Sequence, residues 1–485
     1  MSVGDYELVV GLECHAELMT ESKMFSSCPV VDSVEAPPNS AVDAVSLGMP
    51  GTLPVINHQA VNFAIRVALA LNCTIHHHNV FARKNYFYPD LPKGYQISQY
   101  DQPLATEGWL EVTLDDGTEK RIGIRRVHME EDTGKNTHLD DGTSLVDYNR
   151  SGVPLLEIVS EPDLHSPEEV AAFGASLRRL LRYLEVNSGD MERGVLRLEP
   201  NISVRRSGTQ TFGTRTEVKN LNSFRALSGA TAFEFERQVS LLESGGNIVQ
   251  ETRGWDEDRR VTFSQRAKEE ANDYRYFPEP DLPALYIDDA WIESIREALP
   301  ELPEARSKRY VSAHGLSPYD AAVLTDEKPV AVWFDAVVEA GADPKAAANW
   351  MINNLFGLMN EHHQRIDQIL ITPVGLSGLL KLVDDETISH NAAKQVLEEM
   401  FQTGGKAETI VAEKGLAQLS DASALEIIIQ ELIDENPEQV AEYRAGKHKL
   451  RGWFVGQIMR ATRGSANPAM VNRLLSQKLD SDEIP

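Results

Sequence analysis

Within VVGLECHAEL, residues 9–18, Glu13, His15 and Glu17 alternate with Leu12, Cys14, Ala16 and Leu18. At the period of two that a strand imposes, the acids and the imidazole share one face and the apolar side chains take the other. That polar face is either the wet side of a sheet or part of a metal site, because carboxylates and imidazole ligate divalent cations. Glu157 raises the same question from the opposite direction. In DYNRSGVPLLEIVSEPD, residues 147–163, it interrupts the apolar run Val153, Leu155, Leu156, Ile158 and Val159. A lone buried carboxylate is costly without a partner or a cation, which makes Glu157 a candidate site residue. In RRVHMEEDTGKNTH, residues 125–138, Glu130, Glu131 and Asp132 stand side by side. Their repulsion is relieved either by water at a solvated strand end or by a hard cation that also takes nucleotide phosphates.

Three further stretches carry polar chemistry. RKNYFYPDLPKGYQISQYDQP, residues 83–103, combines Lys84 and Lys93 with a high density of Tyr, Phe and Pro. It reads either as a packed Ω-loop or as a rigid surface of an active site. EDTGKNT has some of the texture of a phosphate-binding loop but lacks the upstream glycine that such a loop needs. His76, His77 and His78 point to alternate sides of any strand and are read as loop or strand-end residues. RAGKHKLRGWFVGQIMRATR, residues 444–463, concentrates Arg444, Lys447, Lys449, Arg451, Arg460 and Arg463, a pattern suited to RNA phosphates or to a solvated helix face.

The elements that must hold these groups follow from periodicity. Strands are expected at 7–16, 109–114, 121–130, 154–160, 201–206 and 214–218. Helices are expected at 58–71, at 166–185 with Ser166 as cap and Glu168 and Glu169 at its positive end, and at 223–243. The irregular interleaving with antiparallel strands points to an α+β domain over residues 1–290. Successive amphipathic helices separated by Pro and Gly predict a helical middle domain over 291–405, and a small helical tail domain over 406–485 follows the Gly-Gly breaker of FQTGGKAE.

Length and composition bound the rest. A chain of 485 residues exceeds one core. Its 42% hydrophobic and 25% charged residues are those of an ordinary globular protein. No apolar run reaches the length of a membrane span, and the strand pattern starts at Tyr6 without a basic-then-apolar leader. The three cysteines, Cys14, Cys28 and Cys73, form no CxxC pair, which fits a reducing cytoplasm. A formal net charge of −27 argues against a non-specific nucleic-acid binder but does not exclude a local basic patch.

Taken in order, the blocks GLECHAEL, SKMFSS, MPGTLPVIN, RKNYFYPDLPKGYQISQYDQP, VHMEEDTGK, DYNRSGVPLLEIVSEPD, EVKNLNSF, DYRYFPEPDLP and GWFVGQIMRATRGSANPAMVNRLL closely resemble the GatB/GatE family of tRNA-dependent glutamyl/aspartyl amidotransferases, in its bacterial, B-type form. The resemblance covers nearly the whole chain. It implies an α+β catalytic domain of the glutamine synthetase and guanidino kinase type, then a helical domain and a tRNA-contacting tail. It also implies a reaction in which ATP phosphorylates the side-chain carboxylate of Glu or Asp misacylated onto tRNA and ammonia then displaces phosphate. The ammonia would come from glutamine hydrolysed on an A-type glutaminase partner, with a small C-type partner joining the two in a heterotrimer.

On this resemblance Mg²⁺ is the expected cofactor and ATP a substrate. Glu13, His15, Glu131 and Glu157 are the expected ligands, with Glu130 and Glu17 as secondary candidates. Lys84, Lys93 and Asp273 are carried over as polar groups of the ammonia path and substrate site, and Arg150 and Lys219 as nucleotide contacts. The sequence departs from the family in three places. Where many members carry zinc-binding cysteines it has Ser26, Cys28, Asp43 and Ser46, which argues against zinc. The usual LRCDAN reads LRLEPN, with Glu199 and Pro200, and Ala267 replaces a serine before DYRYF. The LRLEPN change motivates the alternative of a tRNA-binding subunit that has lost the chemistry.

Overall fold

The computed structural model describes residues 2–3, 5–114, 116–139, 141–267, 274–418, 422–462 and 466–480. The chain divides into two compact units, Met1–Glu304 and Ala305–Pro485.

In the first unit the strand Tyr6–Glu17 (β1) obeys the alternation of its sequence, burying Leu8, Val10, Leu12, Cys14 and Ala16. Two short strands, Phe81–Asn85 (β2) and Tyr95–Gln99 (β3), come next, then the long hairpin Ala105–Thr113 (β4) and Glu119–Glu131 (β5). Pro154–Ser160 (β6), Leu196–Arg206 (β7), Thr216–Lys219 (β8), Glu251–Asp256 (β9), Val261–Ala267 (β10) and Phe277–Pro278 (β11) follow. The main sheet runs β10–β9–β8–β7–β1–β6–β5–β4, with Thr74–Ile75 beyond β4 and Ser2–Val3 against β1. Every pairing is antiparallel except that of β8 with β9. The helix Phe224–Glu243 (α3) makes the crossover between those two parallel strands, as parallel pairing requires. A second sheet, β11–β2–β3, is built from the aromatic stretch and is not a free Ω-loop.

Three capped helices cover the apolar face. Asn57 accepts from the Gln59 and Ala60 N–H groups at the start of α1 (His58–Ala70). Ser166 accepts from Glu169 N at the start of α2 (Pro167–Tyr183), whose first position is a proline. Ser223 accepts from Ala226 N at the start of α3. Ala64 and Val67 of α1, Phe173 and Leu177 of α2, and Leu227 and Phe235 of α3 share one core with Val10, Ile122, Leu156 and Leu198 of the sheet. Truncating a ring such as Phe173 to alanine there costs roughly 3–5 kcal/mol. With helices on one side, the face bearing Glu13, His15 and Glu17 is left for chemistry.

The expected strands and helices all form, with ends moved by a few residues. The strand expected at 109–114 starts earlier, at Ala105, because Ala105 pairs with Val127 in a fully buried position.

The second unit is helical throughout its described elements. One core joins Phe334, Trp350, Leu376 and Val396 to Ala407, Ile410 and Val411. Another joins Leu425, Ile429, Phe454, Ile458, Leu474 and Leu475. Among the described residues no helix is long and apolar enough to cross a membrane.

Candidate functional site

Strand register assembles the site. β6 lies between β1 and β5, and Glu157 is paired with His15 on one side and His128 on the other. One of its oxygens therefore lies 3.4 Å from His15 Nε2 and 3.3 Å from His128 Nε2. Glu13 is 3.5 Å from His15 Nε2, and Glu130 is 3.8 Å from His128 Nε2. On the far side β7 pairs Glu199 with Glu13, and β8 brings Glu217 beside them. The result is three overlapping ligand groups, each with its donor atoms within 4.8 Å: Glu13, His15 and Glu157; His128, Glu130 and Glu157; and Glu13, Glu199 and Glu217.

Charge on this face is dense and mutually balanced. Burial and the neighbouring Glu157 push the Glu13 carboxyl above its usual range. Burial works against ionisation of Glu157 too, but the facing His128 and His15 hold it well below that range. His15 is itself disfavoured as a cation by burial. The hydrogen bond to Glu157 and the charges of Glu199, Glu157 and Glu13 outweigh this and raise it to about 9. The imidazolium thus stands where a metal ion would supply the same charge. The Nδ1 atoms of His15 and His128 are buried with no hydrogen-bond partner among the described residues. Carboxylates with imidazole and no thiolate form a donor set that fits Mg²⁺ or Mn²⁺.

Of the expected ligands, the structure brings Glu13, His15 and Glu157 together and leaves Glu131 apart. Glu131 follows Glu130 at the end of β5, so alternation turns it to the other side. There it pairs with Lys93 and accepts from Ile97 N at 2.9 Å. Glu130, a secondary candidate, takes the place beside Glu157. Glu17 stays at the edge of the face against Asp132, where burial and the Asp132 charge raise it to about 8. Lys84 approaches from β2, its ammonium 5.1 Å from the Tyr274 ring centre and held protonated, against burial, by Glu130.

Lys219 joins the cluster by donating to Glu199 at 2.6 Å, with Glu217 at 3.3 Å. Arg150 instead braces the turn after β5, donating to the carbonyls of Thr133 at 3.0 Å and Gly134 at 2.9 Å. Asp273 and Arg463 lie outside the described residues. The alternation in VHME and EVK was the signal for His128 and Glu217, which sequence reasoning missed.

The three histidines 76–78 hold structural hydrogen bonds, to Thr106, the Ile287 carbonyl and Gln102. At the positions where the resemblance would place zinc-binding cysteines, Asp43 accepts from Ser46 N at 2.8 Å and bonds the Ser46 and Ser26 hydroxyls. Cys28 is the one thiol at these four positions. A soft-ligand zinc site does not fit this donor set.

In the second unit, Arg444, Lys447, Lys449 and Arg460 are exposed; Lys447 pairs with Glu442 at 3.0 Å, Arg444 donates to the Leu479 carbonyl, and the half-buried Arg451 donates to Asn472. Lys449 and Arg460 flank the helix Leu450–Ala461 along a side that also exposes Gly452 and Gly456.

Beside Glu13 the sheet opens into a cavity of about 480 Å³, lined among others by Arg125, Pro162, Asn201, Ser203, Phe212 and Gln250. It offers an aromatic ring, amides and a guanidinium next to the ligand groups.

Residues 8–293, the span that carries every one of these cluster residues, match the family described as the GatB/GatE catalytic domain. The chain belongs to the GatB/GatE family. Residues 332–479 match the companion GatB domain of the helical unit. Among curated relatives, the B-type subunit of the aspartyl/glutamyl-tRNA(Asn/Gln) amidotransferase of Moorella thermoacetica is 54% identical over 478 residues, covering 98% of this chain and all of the relative. Its counterpart in Geobacillus kaustophilus is 51% identical over 475 residues, covering 98% and 99%. The clustered face of β1, β5 and β6 lies within the residues that match the family's catalytic domain.

Proposed function

We propose that this chain is the component of a tRNA-dependent amidotransferase that carries out the ATP-dependent step. It would convert Glu-tRNA(Gln), Asp-tRNA(Asn) or both to the amidated forms through an acyl phosphate. The observation that carries the reading is the shared position of Glu157 between His15 and His128, with Glu13, Glu130, Glu199 and Glu217 around it, beside an open cavity. The catalytic unit is then of the glutamine synthetase and guanidino kinase kind, acting in the cytoplasm.

A carboxylate is a poor acyl donor and repels the phosphates of ATP. Mg²⁺, held by Glu13, His15 and Glu157 with Glu130, Glu199 and Glu217 in reach, supplies charge neutralisation and alignment when bound. The cavity beside Glu13 accepts the base and ribose, with Phe212 as an apolar wall and Asn201, Ser203 and Gln250 as polar contacts. Lys219 keeps Glu199 and Glu217 from repelling the incoming phosphates, so it acts on the nucleotide through them. Lys84 offers an ammonium next to Glu130, where charge builds on the transferred phosphoryl group. Displacement by ammonia releases phosphate and leaves an amide. The buried Lys93–Glu131 pair beyond the cluster suits a path for a small polar nucleophile arriving from a glutaminase partner. That glutaminase and a small linking protein, together with this chain in a heterotrimer, complete the reading, and the exposed Lys447, Lys449 and Arg460 serve as tRNA contacts.

The alternative of a tRNA-binding subunit without chemistry rested on LRLEPN. Glu199, the residue that departs, stands inside the third ligand group with its charge matched by Lys219, so the departure leaves the donor set intact.

The test is a complex reconstituted with the glutaminase and linking partners, misacylated tRNA, labelled ATP and Mg²⁺. Phosphate release coupled to amide formation is expected. Tight tRNA binding without phosphate release would instead favour the non-catalytic alternative.

A further inference from the structure

One side of the small sheet β11–β2–β3 faces the ligand cluster. On β3, Ser98 Oγ donates to Glu130 at 2.9 Å and Gln96 Nε2 donates to the Glu131 carbonyl at 2.7 Å. Lys84 on β2 is paired with Gln96. Tyr100 falls on that same side by alternation, one step past β3. Its ring stacks on Tyr276, with centroids 4.1 Å apart and planes within 4°. Tyr276 meets Tyr274 edge-on at 5.9 Å, and Tyr274 carries the Lys84 ammonium over its ring. A continuous aromatic path thus runs from the cluster to Tyr100, which is 45% exposed.

None of the metal or nucleotide chemistry uses this stack, and the core does not need it: Tyr100 and Tyr276 belong to no buried cluster. We propose that the open face of the Tyr100–Tyr276 stack is the seat of the terminal unpaired base of the aminoacylated RNA. The inference rests on the reading above that misacylated tRNA is the substrate, and it names how that RNA is positioned. The reacting carboxylate is attached through the aminoacyl ester to the last nucleotide. When it sits at the cluster, that nucleotide's base must be parked nearby, outside any duplex. Unpaired bases are held by stacking on aromatic side chains. A chain with a net charge of −27 gains little from general phosphate attraction, which leaves stacking to fix the terminal base. Stacking also tolerates any base and does not depend on the tRNA body.

The experiment uses the reconstituted complex with Tyr100→Ala and Tyr100→Phe. KM is measured for misacylated tRNA and for ATP, with either glutamine or ammonium chloride as nitrogen source. Tyr100→Ala is expected to raise KM for the tRNA about 10-fold or more with both nitrogen sources, with KM for ATP unchanged. Tyr100→Phe, which keeps the ring, should restore it. An unchanged tRNA KM overturns the proposal. So does a defect seen with glutamine and cured by ammonium, which would make this surface a docking face for the glutaminase.

A tRNA with 2-aminopurine at its terminal position separates the two readings. Fluorescence quenching on binding that is lost in Tyr100→Ala supports the platform even if no amidation is observed. Absence of quenching in the unaltered protein overturns it even if amidation proceeds.

Discussion

Glu157 Oε2 lies between His15 Nε2 and His128 Nε2, at 3.4 Å and 3.3 Å, on a strand whose other side is buried in the core. One carboxylate therefore serves two ligand groups at once, and its loss should disturb both. In Glu157→Gln, the buried His15 and His128 lose the carboxylate that faces both, and breaking such a buried pair destabilises by roughly 3–5 kcal/mol. ATP-dependent phosphate release in the reconstituted complex should fall by at least about 100-fold, in line with the loss of a metal ligand and its orientation. Full activity in a folded Glu157→Gln protein would remove the cluster from the mechanism.

Glu130 and Glu131 are neighbours in sequence but sit on opposite sides of β5. Mn²⁺ affinity measured by calorimetry should weaken about 10-fold or more in Glu130→Gln. In Glu131→Gln it should stay close to that of the unaltered protein, because Glu131 is committed to Lys93 and the Ile97 N–H. The reverse ranking would mean that the end of β5 rearranges when metal binds.

His15 is protonated below about pH 9 without metal, so ligation must displace a proton. Mn²⁺ affinity is therefore expected to rise with pH between 7 and 9, with proton release measurable as a buffer-dependent calorimetric heat. His15→Gln should flatten this dependence. A pH-independent affinity in the unaltered protein would place the cation away from His15.

The raised carboxyl of Glu17 carries a stability signature. Its folded value is about 8 against an ordinary 4.5, so between these pH values the unfolded chain releases a proton that the folded protein keeps. Ionisation thus favours unfolding as pH rises from about 4.5 to 8. Glu17→Gln removes the linkage, and the decline of thermal midpoint across that window should become shallower. An identical decline would show that Glu17 does not set the pH response.

Lys449 and Arg460 are the exposed cations of the helix Leu450–Ala461 and its start. Their joint replacement by alanine should lower tRNA affinity and reduce the slope of log affinity against log salt by about one to two. Arg451→Ala should act mainly through the lost hydrogen bonds to Asn472. An unchanged salt slope in the double variant would move the RNA contact elsewhere.

Local periodicity made much of this legible. The alternation in VVGLECHAEL placed Glu13 and His15 on one face and Cys14 in the core, and the ordered blocks named the family. Ser166 as cap, with Glu168 and Glu169 at the positive end, marked α2 within two residues of its ends. Applied more strictly, the same alternation separates Glu130 from Glu131 and adds His128 and Glu217, since each alternates with a residue already singled out. What no local pattern carries is which strands become neighbours and in what register. Side-chain direction repeats every two residues along one strand, and so is written in that strand alone. The pairing that sets Glu157 between His15 and His128, and Glu199 opposite Glu13, is a choice among many registers. It is settled only when the helices close over the apolar face and hold distant segments side by side.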